Sequence, residues 1–137
     1  MKKFLVILLA ILLLAGCAPS ASSAPEVEEP LTYRQIGMEE AIAMMEKEEG
    51  YIILDVRTAV EFEDKHIPNA INIPNEVIGT EPIAQLPDKD QLILVYCRSG
   101  NRSKQASEKL VAQGYSNIVE FGGIIDWPGE TVTKSLP

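Results

Sequence analysis

The sequence predicts an α/β fold, with a mostly parallel central sheet and helices on both faces. Three observations point to it. YIILDV at 51–56 and LILVY at 92–96 are nearly unbroken apolar runs with β-branched residues, the pattern of strands covered on both sides. Segments with helical spacing stand before and after them. Strand and helix patterns alternate along the chain, the order that builds a parallel sheet with crossover helices.

Each element has its own justification. Met38, Ala41, Ile42 and Met45 fall at i, i+3, i+4 and i+7, so they share one helical face, read as core packing. Glu39 and Glu40 suit the positive end of that helix, and Gly50 suits its stop. After the first apolar run, Thr58 and Glu61 have capping-box spacing, which predicts a short helix through Asp64. INIP at 71–74 reads as a brief strand closed by proline. A short helix is expected near Glu81 to Leu86, then a turn at Pro87-Asp88. Beyond the second apolar run, a helix is expected over 103–113, where Ala106 and Leu110 lie four apart and Gly114 follows. Asn117 to Phe121 gives a further short strand. No internal repeat is visible.

The N-terminus has the order of an export signal. Lys2 and Lys3 precede twelve apolar residues, Phe4 to Ala15, too few for the roughly 20 that span a bilayer. Leu14-Ala15-Gly16-Cys17 stands directly behind them and resembles the lipobox of bacterial lipoproteins. That resemblance implies cleavage of residues 1–16, lipidation of Cys17, and a domain held outside the cytoplasm on a cell or outer membrane. Loss of Lys2 and Lys3 takes the formal charge from −8 to −10. APSASSAPEVEEPLT at 18–32 is small, polar and acidic, without an apolar period, and reads as a flexible tether. The remainder, 33–137, is the size of one domain.

Composition then excludes several classes. A strongly acidic chain is a poor ligand for nucleic acid, whose phosphates demand basic surface. One histidine and two cysteines, one of them expected to carry lipid, supply no zinc spacing. Cys97 is left as a lone exported thiol, either a small buried hydrophobe or a reactive group.

CRSGNRS at 97–103 favours the reactive group. It sits at the carboxyl end of a predicted strand, where ligands bind in open α/β sheets. N–H groups opening the next helix lack partners within that helix and attract negative charge. Gly100 lets the loop curl, while Arg98, Arg102 and Lys104 add positive charge. An ordinary thiol with pKa about 8.5 is roughly 3% ionised at pH 7, and a drop of about two units makes it about three-quarters thiolate. The thiolate is the nucleophile, so this chemistry requires an ionised sulfur that solvent reaches.

Four segments carry a wider resemblance: LDVR at 54–57, HIPNAINIP at 66–74, YCRSGNRS at 96–103 and GGIIDWPGE at 122–130. In this order and spacing the domain resembles a single-domain rhodanese, a sulfurtransferase with a three-layer α/β fold. The resemblance implies that Cys97 takes sulfane sulfur from an anionic donor such as thiosulfate, holds it as a persulfide, and passes it to cyanide or a thiol. It implies that the loop amides from Arg98 through Ser99, Gly100, Asn101 and Arg102 to Ser103 stabilise the persulfide charge, with Arg98 and Arg102 orienting the donor. Ser103 would supply a hydroxyl or help start the helix. No cofactor or metal is required. An exported persulfide has no glutathione pool beside it, which leaves room for a redox partner that the sequence does not identify.

Asp55 and Arg57 lie at the ligand-binding edge and are read as supporting residues, Asp55 accepting hydrogen bonds from loops and Arg57 pairing with Glu61 or another acid. His66 is assigned a structural role and Trp127 a packing role. Asn69 replaces the family's usual glycine, at a turn that tolerates left-handed backbone. Two other classes fit part of the pattern. A cysteine phosphatase or arsenate reductase also uses thiolate and arginine, but the related phosphatases have C-x5-R, whereas Cys97 to Arg102 is C-x4-R. A binding module or a persulfide relay for one protein partner is the non-catalytic alternative.

Overall fold

The computed structural model describes Gly16, Pro25 and residues 29–134. Cys17, residues 1–15 of the expected signal and most of the expected tether lie outside the described residues. Five parallel strands form one sheet: β1 (Arg34–Gln35), β2 (Ile52–Asp55), β3 (Ile71–Asn72), β4 (Ile93–Cys97) and β5 (Ile118–Gly123), in the order β1-β5-β4-β2-β3. The central β4 is buried along its whole length, as its unbroken apolar run demands.

Alternation along the strands divides the core into two layers. Leu54, Val95, Cys97 and Ile118 face one side, where Ala106 and Leu110 of α3 (Asn101–Ala112) cover them. Ile53, Leu94, Tyr96 and Val119 face the other, covered by Ala41 of α1 (Met38–Lys47) and Phe62 of α2 (Ala59–Asp64). This is the expected three-layer arrangement. The capping box also forms: Glu61 N donates to Thr58 Oγ1 at 3.3 Å, and Glu61 Oε2 accepts from Thr58 N at 3.0 Å.

Two expectations require correction. No helix forms at Glu81 to Leu86; a single turn closes there, with Leu86 N donating to Ile83 O at 3.0 Å. Ile83 and Leu86 both pack on the core, so their spacing of three is real, but Pro82 and Pro87 leave no room for a helix. The third helix starts at Asn101 rather than at residue 103, because Gly100 stands at its cap with φ 107° and turns the chain directly into it.

The end of β5 is irregular where the site is built. Val95 pairs with Glu120, but Cys97 pairs with Gly123, so β5 carries one more residue than β4 over this span. Such a bulge bends the strand and re-aims the residues beyond it. It brings Gly123 against the loop after β4. A Cβ there would lie 1.9 Å from Arg98 O.

Candidate active site

Cys97 ends β4 on the α3 side of the sheet, and the chain from Arg98 to Ser103 curls over its sulfur. Gly100 N donates to Sγ at 3.0 Å, and Sγ lies 3.5 Å from Ser103 Oγ. Burial opposes ionisation of this thiol. The Ser103 hydroxyl and the N–H groups of Ser103, Gly100 and Ser99 outweigh it and bring the pKa below the ordinary thiol value. Preorganised donors around one sulfur are the arrangement that stabilises a thiolate or a persulfide anion.

Access is tighter than the open cradle expected from sequence. Cys97 is only 1% exposed, whereas Arg98 and Ser99 above it are exposed. Gly100 and Ser103 are buried with it, and Asn101 is exposed on the first turn of α3. The loop is drawn down by Gly123, whose missing side chain lets the Arg98 backbone lie against β5. The requirement that solvent reach the sulfur is not met in this conformation, so a donor reaches Sγ only when the covering loop at Arg98 and Ser99 moves.

Arg102 is placed differently from a free anion clamp. Its guanidinium makes a two-pronged pair with Glu61, Nη1 to Oε2 at 2.7 Å and Nη2 to Oε1 at 2.9 Å. Arg102 holds the Glu61 carboxyl down at about 2 against the opposing effect of burial, with Thr58 helping. Glu61 thus caps α2 and locks α3 to it. Arg57 does not pair with Glu61. It folds back two residues onto Asp55, with its backbone N–H on Oδ1 at 2.9 Å and Nη2 on Oδ2 at 2.6 Å. The same Nη2 reaches Lys65 O at 2.7 Å, so the buried pair ties β2 to the end of α2.

Beside the loop lies a cleft of ≈ 250 Å³ lined by Arg57, Glu61, Asp64, Lys65, Arg98, Ile124 and Ile125. Its lining mixes both signs of charge: Arg57 is paired with Asp55 and Glu61 with Arg102, which leaves Lys65 and Arg98 as its cations without an ion pair among the described residues. His66 stands apart from Cys97's partners: its ring stacks on Phe62 at 3.7 Å, its Nδ1 meets Phe62 O at 2.7 Å, and its backbone pairs with Val132. Trp127 packs on the α1–α2 side of the core, and Asn69 takes the left-handed conformation with φ 67°.

Glu120 joins the site without having stood out in the sequence. It is 3% exposed in the middle of β5, and its Oε1 accepts from Ser103 Oγ at 2.6 Å and from Gly122 N at 2.9 Å. A single acid inside the apolar string IVEFGG is the signal that could have found it.

A family model for the rhodanese-like domain matches residues 37–129. The chain belongs to the rhodanese-like family. Among its curated relatives, the thiosulfate sulfurtransferase GlpE of Pseudomonas savastanoi is 36% identical over 105 residues, covering 73% of this chain and 95% of the relative. The thiosulfate sulfurtransferase PspE of Escherichia coli is 36% identical over 73 residues, covering 53% and 70% respectively. A solved rhodanese-like domain protein from Staphylococcus aureus aligns with TM-score 0.65 and 30% identity, covering 74% of this chain and 99% of that one.

Proposed function

We propose that this rhodanese-like chain is a sulfurtransferase in which Cys97 carries sulfane sulfur from an anionic donor such as thiosulfate to cyanide or a thiol. The observation that carries the reading is the convergence of loop N–H groups on the Cys97 sulfur, with its pKa lowered despite burial. Relatives named thiosulfate sulfurtransferases support the same chemistry.

The reaction divides into two displacements. The Cys97 thiolate attacks the outer sulfur of thiosulfate, the donor's S–S bond breaks, and sulfite leaves with the bonding electrons. The persulfide's terminal charge then lies among the loop amides. A thiolate or cyanide attacks that terminal sulfur, and Cys97 departs as thiolate. No proton needs a separate base once the thiol is ionised. Arg98, exposed at the cleft with Lys65, draws the anionic donor in, while Arg102 contributes less because Glu61 neutralises it.

The lipobox-like order at Leu14 to Cys17 supports a lipid anchor on Cys17, with residues 18–32 as a tether and the domain outside the cytoplasm. Thiosulfate–cyanide turnover tests the chemistry. The wild-type chain is expected to turn over, and Cys97→Ser is expected to lose transfer while melting normally. Turnover of a phosphate ester with none of thiosulfate would replace this reading with a phosphatase.

A further inference from the structure

Glu120 is a buried carboxylate with an unusual set of neighbours. Around it stand Val95 and Cys97 of β4, Gln35 of β1, Tyr33 on the same side of the sheet, and Ser103 of α3. Tyr33 accepts from Gln35, and Arg102 turns away to Glu61. No lysine or arginine among the described residues forms an ion pair with Glu120. Its hydrogen bonds come from Gly122 N and from the Ser103 hydroxyl, and that hydroxyl is the acceptor facing the Cys97 thiol.

The geometry therefore forms a line: Cys97 Sγ, Ser103 Oγ at 3.5 Å, and Glu120 Oε1 at 2.6 Å from Oγ. A serine hydroxyl has one proton to give. Glu120 Oε1 is the shortest of its acceptors, ahead of Gly100 O at 2.9 Å and Gly122 O at 3.4 Å. A thiolate and an ionised carboxylate sharing this buried space would repel each other, and like charges in one site do not both ionise freely.

We propose that Glu120 is a positioning residue that holds the Cys97 proton, received through the Ser103 hydroxyl. The thiol proton moves from Sγ to Ser103 Oγ as the hydroxyl proton moves from Oγ to Glu120 Oε1. One S–H bond breaks, one O–H bond forms on the carboxyl, and no electrons are exchanged. The site keeps a single negative charge, which passes from the carboxylate to the sulfur. Ser103 then donates to the thiolate, and the neutral carboxyl donates to Ser103. The arrangement lets a dianionic donor approach a site with one negative charge rather than two. The proposal rests on the sulfurtransferase reading for the use of the thiolate, and on geometry alone for the proton's path.

The test is alkylation of the reduced full chain by iodoacetamide across pH, without a sulfur donor, with thiolate absorbance followed in parallel. Two coupled groups titrate as a pair. Cys97 reactivity in the wild type is expected to rise in two steps more than about one pH unit apart. Glu120→Gln keeps an oxygen that accepts from both Gly122 N and the Ser103 hydroxyl but cannot take a proton. Its profile is expected to be one step lying between the two. A single wild-type step that Glu120→Gln merely displaces makes Glu120 a fixed charge and overturns the proposal. Where Glu120→Gln does not fold, infrared difference spectra of the wild type replace it: a protonated-carboxyl band that persists while thiolate absorbance rises supports the proposal, and its loss before the thiolate forms overturns it. A one-step profile in a protein that still forms persulfide sinks the relay alone. Two steps without any persulfide leave the relay and sink the sulfurtransferase reading.

Discussion

Replacing Gly123 by alanine should disable the site from outside it. The added Cβ would lie 1.9 Å from Arg98 O, 2.3 Å from Arg98 C and 2.5 Å from Ser99 N. Even a 3.0 Å approach leaves it about 1.1 Å too close to the oxygen. All three atoms are backbone, so no side chain can swing aside, and the Cys97 loop must move by about an ångström. The Gly100 N–H contact to Sγ is 3.0 Å, and a shift of that size takes it to about 4 Å, where little of the bond is left. A misplacement of about 1 Å at a reacting group costs roughly a hundredfold in rate, while overpacking costs about 1–3 kcal/mol of stability. Gly123→Ala should therefore stay folded, turn over thiosulfate at least about a hundredfold more slowly, and alkylate only at higher pH than wild type. The assays are urea unfolding, thiosulfate–cyanide turnover and the pH profile of alkylation. A folded variant with a native rate and profile would refute the reasoning.

Three other substitutions probe separate parts of the structure. Asp55→Ala leaves the buried Arg57 guanidinium without its partner and should cost about 3–5 kcal/mol in urea unfolding, beyond any effect on turnover. Glu61→Gln removes a carboxylate whose pKa is lowered from 4.5 to about 2, so the stability it supplies is present above pH 4.5 and is lost as pH falls toward 2. Because Arg102 and Glu61 keep 26% and 31% of their side-chain surface in solvent, the difference from wild type should be only about 1 kcal/mol at pH 7. It should shrink when unfolding is measured at pH 3. Cys17→Ala should release the chain from membrane fractions, and an unchanged bound fraction would remove the lipid anchor.

The sheet is legible in the sequence through two runs, YIILDV and LILVY, because a strand covered on both faces has little room for polar residues. β1 is not legible, since two exposed residues, Arg34 and Gln35, carry no pattern and form a strand only by pairing with β5. Cys97 and its loop are readable from local chemistry: a strand end, a glycine and a helix start. The partners of that loop are not. Whether Glu61 meets Arg57 or Arg102 depends on how α2 lies against α3, since Glu61 and Arg102 stand 41 positions apart in the chain. Glu120 is an outlier in a strand, and only the packing of α3 on β5 reveals Ser103 above it. The 1% exposure of Cys97 likewise depends on Gly123, which is distant in sequence and adjacent through the bulge.

Under the proposed function, the ionised sulfur of Cys97 accepts and carries a second sulfur atom. Intact-mass measurement of the full chain after exposure to thiosulfate, with peptide mapping of the modified form, tests it most directly. The expected result is a gain of one sulfur atom located on Cys97, removed by cyanide and absent from Cys97→Ser. A chain that stays unmodified while its alkylation profile reports a thiolate would contradict it.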